Sequence, residues 1–142
     1  MKKETKKRIL IIEDELSLQH AIVHKLEKEG FDTMTAISGE EALLILKKNS
    51  LGSDATNVGH ANNKVDMIWL DLLIPGMGGL KFLESIKQNE KYNNIPIIVV
   101  SVSAGTETLK EVSGHKVLEY FIKSQSDLSH IVEKVKNHLI KS

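Results

Sequence analysis

Four short apolar segments of the sequence each end in polar side chains that could act together chemically. These side chains are Glu13 and Asp14 after residues 9–12, Asp71 after residues 65–70, Ser101 after residues 97–100, and Lys123 after residues 117–122. Carboxylates are suitable ligands for Mg²⁺, which binds one or two of them and keeps several waters. A lysine ammonium and a serine hydroxyl suit an anion. A carboxylate beside a metal and a lysine can act as the nucleophile of phosphoryl transfer, so the set predicts an aspartyl phosphate at Asp71.

These residues can share one site only if the apolar segments are neighbouring strands. The run at 65–74 shows no clear alternation, which is typical of a buried strand in a parallel sheet, and a Pro/Gly turn at 75–79 ends it. Five predicted strands, the second at 31–37, alternate with five helical patterns at 16–29, 39–48, 80–88, 106–112 and 127–139. A capping box at 38–41 begins the second helix. The pattern predicts an α/β fold, a doubly wound parallel sheet with helices on both faces. The polar strand ends should then meet at one edge.

Length and composition limit the class of protein. The chain has 142 residues, is 41% hydrophobic and carries 19 basic and 19 acidic residues, so its formal net charge is zero. This balance argues against nucleic acid or a membrane surface as the main partner. There is no cysteine for a disulfide or thiolate metal site, and no signal peptide or membrane span is evident. We expect a single cytoplasmic domain over residues 1–142, with a basic tail at 1–7 and a flexible insertion loop at 49–64.

The motifs together resemble a known family. They are residues 11–15 with Glu13 and Asp14, residues 71–79 beginning with Asp71, residues 96–101 ending in Ser101, and residues 120–123 with Tyr120 and Lys123. This combination resembles the receiver domain of bacterial two-component response regulators, of the chemotaxis-type, flavodoxin-like fold. The resemblance covers about residues 7–140 and implies a five-stranded sheet of order 2-1-3-4-5.

The resemblance also implies a role for each residue. Asp71 would be the phosphoacceptor, Ser101 the switch hydroxyl, Tyr120 the switch aromatic and Lys123 the phosphate-pairing lysine. Mg²⁺ or Mn²⁺ would be bound by Glu13, Asp14, Asp71 and the backbone carbonyl of Leu73. Such a domain is a signalling switch rather than an enzyme, and it catalyses only its own phosphorylation and dephosphorylation.

The implied partners follow from the same resemblance. A sensor histidine kinase or a histidine phosphotransfer protein would donate the phosphoryl group. The resulting change of conformation would alter binding of a downstream protein target to the face formed by the fourth helix, fifth strand and fifth helix. We expect no direct contact with nucleic acid or a membrane, and a monomer or a phosphorylation-dependent dimer.

Some residues depart from the family pattern. Ser124 follows Lys123, where the family usually has a proline with a cis bond, so we expect no cis bond there. In receivers, the positions of Leu73 and Ser103 flank the line along which water attacks the phosphoryl group. Neither side chain is an effective base, so the phosphorylated form should be comparatively long-lived.

Three alternatives fit the sequence less well. A phosphatase of the haloacid-dehalogenase type would need a second aspartate two residues after Asp71, where Leu73 stands. A nucleotide-binding module is disfavoured because the glycines at 76–79 match neither the dinucleotide-binding nor the P-loop spacing. A receiver that only binds partners without being phosphorylated is disfavoured because all key residue types are present.

Overall fold

The computed structural model of the protein describes residues 6–50, 64–102 and 106–140. Its strands are β1 (Arg8–Ile12), β2 (Asp32–Ala36), β3 (Met67–Leu70), β4 (Ile97–Ser101) and β5 (Glu119–Ile122). Its helices are α1 (Leu16–Lys28), α2 (Gly39–Ser50), α3 (Gly78–Lys87), α4 (Thr106–Ser113) and α5 (Leu128–Leu139). Residues 1–5 of the predicted tail, residues 51–63 of the predicted insertion loop, and Ser103 lie outside the described residues.

The five strands form one parallel sheet in the order β2-β1-β3-β4-β5, which confirms the predicted fold class and strand order. The register aligns the carboxyl ends of the inner strands. Ile12 pairs with Leu70, and Leu70 pairs with Val99. Ser101 at the end of β4 pairs with Ile122 at the end of β5. The residues that follow these positions therefore lie at one edge of the sheet.

Alternate strand residues divide the apolar core into two layers, one on each face of the sheet. Leu70 and Val99 lie with α2, α3 and α4, and this side is called the α2–α4 face. Trp69 and Val100 lie with α1 and α5, and this side is called the α1–α5 face. Burying one aliphatic or aromatic side chain contributes roughly 1.5–3 kcal/mol, so both layers are needed to hold the sheet. An ion pair between Glu29 and Lys136, with Nζ 2.9 Å from Oε1, also joins α1 to α5.

The alternation of faces continues past the end of β3. Leu70, Leu72 and Ile74 all belong to the α2–α4 face. Asp71 therefore lies on the same side of the sheet as Trp69, because successive side chains of an extended chain point to opposite faces. This arrangement places Asp71 over the α1–α5 face, where α1 and β5 can contribute further side chains.

The boundaries of two elements differ from the sequence prediction. Helix α3 begins at Gly78, before the predicted start at 80, because Gly79 packs directly on the end of β3. Its N–H donates to the Leu72 carbonyl at 3.0 Å, and a Cβ at Gly79 would lie 2.5 Å from Leu72 Cα. Strand β5 begins at Glu119 rather than 117, because pairing with β4 starts at Ile98.

The predicted capping box is present at the start of α2. Ser38 Oγ accepts the Glu41 N–H at 3.1 Å, and Glu41 Oε1 accepts the Ile37 N–H at 2.7 Å. The glutamate reaches one residue further back than in the usual reciprocal pair. The two bonds fix the junction between β2 and α2.

Candidate metal and phosphoryl site

Glu13 and Asp71 emerge side by side from the neighbouring strands β1 and β3. Asp71 N–H donates to the Ile12 carbonyl at 3.1 Å, and Glu13 N–H donates to the Ala36 carbonyl at 3.0 Å, so both backbones are still tied to the sheet. Glu13 is 1% exposed and Asp71 is 3% exposed, whereas Asp14 faces solvent. Two carboxylates are therefore buried at the carboxyl edge, with a third at the surface beside them.

The three acids form a compact set of oxygen ligands. One carboxylate oxygen from each of Glu13, Asp14 and Asp71 lies within 4.8 Å of the others. Burial raises the pKa of Glu13, and the nearby charge of Asp71 raises it further, against the opposing effect of the Glu15 N–H and of Lys123. A bound cation would relieve this repulsion. The donors fit a hard divalent cation such as Mg²⁺, which favours carboxylate oxygens.

Lys123 joins the two buried acids. Its Nζ lies 3.1 Å from Glu13 Oε1 and 3.0 Å from Asp71 Oδ2. Burial alone would lower the pKa of Lys123, but its hydrogen bonds and charge interactions with Asp71 and Glu13 together raise it. The Lys123 N–H donates to the Ser101 carbonyl at 2.7 Å, which continues the pairing of β4 with β5. The described residues contain no cis peptide bond, so Lys123 reaches both acids with a trans bond to Ser124.

Leu73 follows Asp71 in the loop after β3, and Ser101 ends β4, the strand next to β3. Leu73 N–H donates to Asp71 Oδ1 at 3.0 Å, which orients the carboxylate. The Leu73 side chain is 63% exposed, and Ser101 is 3% exposed. Both residues line a cavity of about 230 Å³ together with Gly78 and Gly79. The cavity lies at the carboxyl edge of the sheet, between the end of β4 and the start of α3.

Tyr120 lies on β5, three residues before Lys123. It is partly buried on β5, opposite Val99, and packs against the α2–α4 face. Burial raises the pKa of its hydroxyl, so the side chain stays neutral well above neutral pH. The structure therefore brings together Glu13, Asp14, Asp71 and Lys123, and places Tyr120 on the strand that carries Lys123.

The sequence reasoning missed one residue that supports Glu13. Gln19 of α1 is 5% exposed, and its Nε2 donates to the Glu13 carbonyl at 2.9 Å and to the Ala36 carbonyl at 3.5 Å. The bonds hold the ends of β1 and β2 together under the acids. Gln19 lies on the same helix face as Ile22 and Leu26, so a polar residue within an apolar stripe was the available signal.

A second missed residue supports the turn after Asp71. Glu40, at the start of α2, accepts the Met77 N–H on Oε2 at 3.0 Å. Gly76 has φ +73°, and a Cβ added there would lie 2.5 Å from Glu40 Oε1. Only glycine combines this backbone conformation with so close a carboxylate. No local sequence pattern predicts the contact, because Glu40 and Met77 are 37 positions apart in the sequence.

A family model described as "Response regulator receiver domain" matches residues 9–136. The chain belongs to this family. The receiver domain is 27% identical over 132 residues to Sporulation initiation phosphotransferase F of Bacillus subtilis, covering 93% of each chain. It is 32% identical over 101 residues to the transcriptional regulatory protein SphR of Synechococcus elongatus, covering 71% of this chain and 36% of SphR. The solved structure of the phosphorylated cyanobacterial response regulator RcpA superposes with a TM-score of 0.78 at 25% identity over 96% of each chain.

These similarities confirm the predicted family and fold. The receiver domain is a phosphorylation-dependent switch of two-component signalling rather than an enzyme in the ordinary sense. The family match argues against the phosphatase and the nucleotide-binding module that were considered as alternatives. The chain spans about a third of the length of SphR and of YcbL from Bacillus subtilis, at 36% and 35%. None of the described helices is long and apolar enough to cross a membrane.

Proposed function

We propose that the receiver domain accepts one phosphoryl group on Asp71, in a reaction that needs Mg²⁺. The observation that carries this proposal is the surroundings of the Asp71 carboxylate. One oxygen accepts the Leu73 N–H at 3.0 Å, the other lies 3.0 Å from Lys123 Nζ, and the oxygens of Glu13 and Asp14 are close by. A buried, oriented carboxylate with a cation beside it and a metal site next to it suits in-line attack on phosphorus.

Each side chain then has a separate task. An Asp71 oxygen forms the bond to phosphorus as the bond from phosphorus to the donor breaks, and the donor keeps that electron pair. Lys123 donates to the phosphoryl oxygens after exchanging its present bond to Asp71. Glu13, Asp14, Asp71 and the Leu73 carbonyl would hold Mg²⁺, which neutralises phosphoryl oxygens when bound. The domain thereby catalyses its own phosphorylation, and attack of water on phosphorus later releases inorganic phosphate and restores the Asp71 carboxylate.

Incubation with acetyl phosphate and MgCl₂ tests this function. Intact-mass spectrometry should show the gain of one phosphoryl group, and EDTA should prevent it. Hydroxylamine should remove the group, since an acyl phosphate is cleaved by this nucleophile whereas a serine phosphate is not. An unchanged mass in the presence of both acetyl phosphate and Mg²⁺ would contradict the proposed function.

The phosphoryl donor in the cell is proposed to be a sensor histidine kinase or a histidine phosphotransfer protein. We further propose that phosphorylation shifts a two-state equilibrium. Ser101 would bond to the phosphoryl oxygens and Tyr120 would move into the space that Ser101 leaves. A downstream protein would then bind the surface of α4, β5 and α5. The same proposal includes a cytoplasmic location and a single domain over residues 1–142. It also includes a monomer or a phosphorylation-dependent dimer.

The switch makes a spectroscopic prediction. Phosphorylation should change amide NMR shifts at the carboxyl edge of the sheet and also along β5 and α5, because Tyr120 shares β5 with Lys123. Signals that move along the length of α5, beyond its first turn next to Lys123, would report a conformational change rather than the added charge alone. Changes restricted to the loops that follow β1 and β3 would contradict the switch.

The exposed Leu73 side chain predicts a slow loss of phosphate. Leucine can neither orient nor deprotonate the attacking water, and its bulk lies at the cavity it shares with Ser101. Leu73→Asn should shorten the lifetime of the aspartyl phosphate roughly tenfold, less than the 10²–10⁴-fold of a fully acting acid–base group. The measurement is the decay of phosphorylated protein after acetyl phosphate is removed by desalting.

A matched control comes from α2. Leu44 is 59% exposed, similar to the 63% of Leu73, so Leu44→Asn makes the same chemical change away from the acids. It should leave the lifetime unchanged. Decay of the unmodified protein as fast as that of Leu73→Asn would show that this position does not control water. Ser103, the other residue predicted to flank the line of attack, lies outside the described residues.

A further inference from the structure

The buried side of α1 contains one polar residue. Gln19, Ile22 and Leu26 are the buried residues of the helix, and Gln19 is only 5% exposed. A buried amide is destabilising unless it forms hydrogen bonds in place of those to water. Gln19 directs its bonds at the segment that carries the acids. Its backbone N–H donates to the Glu15 carbonyl at 2.9 Å, and its Nε2 donates to the Glu13 carbonyl at 2.9 Å.

The Glu13 carbonyl needs this donor because the sheet ends beside it. The last residue pair between β1 and β2 joins Ile12 to Ala36, where β2 ends. The Glu13 N–H still donates to the Ala36 carbonyl at 3.0 Å, but β2 has no later residue whose N–H could pair with the Glu13 carbonyl. Gln19 supplies that N–H from α1, so the backbone of Glu13 is held on both its donor and its acceptor side.

The carbonyl that Gln19 holds belongs to the peptide between Glu13 and Asp14. Because a peptide unit is planar, fixing its oxygen restricts the backbone on either side of it. The buried Glu13 side chain has further bonds, since its Oε2 accepts the Glu15 N–H and its Oε1 accepts from Lys123, both at 3.1 Å. Asp14 faces solvent, so packing does not orient it. The direction of the Asp14 carboxylate is therefore set mainly through this peptide.

We propose that Gln19 is a positioning residue for the divalent cation, because its amide fixes the peptide that aims the carboxylates of Glu13 and Asp14. This inference rests on the metal site of the proposed function. One oxygen from each of these acids and one from Asp71 lie within 4.8 Å of one another, and the amide maintains that arrangement. Gln19 thereby acts on the affinity for Mg²⁺ rather than on the transfer of the phosphoryl group.

Gln19→Met tests the proposal, because methionine has a similar length but no hydrogen-bond donor. Titration with MgCl₂, followed by the amide NMR shifts of residues around Glu13 and Asp71, gives the Kd for Mg²⁺. We expect the Kd to rise roughly tenfold, at the low end of the 10–100-fold that partners of metal ligands typically contribute. An unchanged Kd would overturn the proposal and leave the metal site standing. An unmodified protein that did not bind millimolar Mg²⁺ would overturn the metal site as well.

Ile22→Val separates positioning from stability. Ile22 lies on the same buried side of α1 and is 1% exposed, so loss of one methylene destabilises the fold without touching the acids. Urea unfolding measures the stability of both variants, and Ile22→Val should keep the normal Kd for Mg²⁺. If it weakened binding as much as Gln19→Met does, loosening of α1 would be the cause and the proposal would be wrong.

A shorter amide covers the case in which Gln19→Met fails to fold. Gln19→Asn keeps the polar group but is one methylene shorter, so its amide does not reach the Glu13 carbonyl. It should raise the Kd for Mg²⁺ at least threefold. Normal Mg²⁺ binding by folded Gln19→Asn would contradict the positioning role.

The dependence of phosphorylation on Mg²⁺ gives a second readout. The rate of labelling by acetyl phosphate is measured against the concentration of MgCl₂. Gln19→Met should need about ten times more Mg²⁺ for the half-maximal rate and should reach the same maximal rate, because Asp71 and Lys123 are unchanged. A lower maximal rate at an unchanged half-maximal concentration would assign Gln19 to phosphoryl transfer itself and overturn the proposal.

Discussion

Asp71→Asn should abolish the uptake of a phosphoryl group from acetyl phosphate. The amide keeps the shape of the carboxylate, including the oxygen that can accept the Leu73 N–H, now at 3.0 Å. It lacks the anionic oxygen that attacks phosphorus, so only the nucleophile is removed. The measurement is intact-mass spectrometry after incubation with acetyl phosphate and MgCl₂. Labelling should fall from complete to undetectable.

A second aspartate on the same segment provides the control. Asp66 precedes β3, and its Oδ2 accepts the Arg8 N–H at 2.8 Å at the opposite end of the sheet. Asp66→Asn should therefore be labelled as fully as the unmodified protein. If Asp71→Asn also took up a phosphoryl group at the normal rate, another residue would be the acceptor and the assignment of Asp71 would be wrong.

Lys123→Met should destabilise the folded protein when Mg²⁺ is absent and much less when it is present. Methionine preserves the length of the side chain but leaves Glu13 and Asp71 buried without their shared cation. Removing one partner of a buried ion pair typically costs about 3–5 kcal/mol. Because the lysine side chain is 21% exposed, we expect a smaller loss, about 1–3 kcal/mol.

The comparison with and without Mg²⁺ identifies the cause of that loss. Millimolar MgCl₂ should recover most of the stability that Lys123→Met loses, since a cation that binds only the folded state stabilises that state. Urea unfolding followed by circular dichroism measures the change in both conditions. Equal stability of Lys123→Met and the unmodified protein without Mg²⁺ would show that the buried acids do not depend on the lysine.

Lys136→Met provides the matched control for this experiment. Lys136 Nζ lies 2.9 Å from Glu29 Oε1, a distance similar to those at Lys123, but both side chains are 35% exposed. Water and salt screen such a pair, so its loss should have little effect on unfolding and no dependence on Mg²⁺. The contrast between the two variants shows whether the loss of stability comes from the burial of the acids or only from the short distance between the charges.

Much of the fold and site could be predicted because the informative residues are local. Apolar runs identify the buried strands, and the polar residue that ends each run identifies the edge where the strands meet. Glu13, Asp71 and Lys123 were found in this way, and the hydrogen bonds of the structure bring all three into contact. Sheet order came from the resemblance, since periodicity alone does not determine which strands are neighbours.

The remaining features depend on contacts between distant parts of the chain. The bond from Met77 N–H to Glu40 joins a turn to a helix that precedes it by 37 residues, and no periodic pattern predicts it. The indole N–H of Trp69 has no hydrogen-bond partner among the described residues, which becomes evident only when its neighbours are known. The start of α3 was predicted two residues late because glycines usually end helices, whereas Gly79 here allows close packing on β3.

The composition of the α1–α5 face has a consequence for the synthesis of the protein on the ribosome. Ile22 and Leu26 of α1 leave the exit tunnel about a hundred residues before Ile131 and Val135 of α5, with which they pack. Domains emerge from their amino ends at about 5–20 residues per second, so this surface of the nascent sheet stays uncovered for several seconds. A chain that stalls before residue 128 would expose it persistently and become a substrate for chaperones, whereas the α2–α4 face could already be closed.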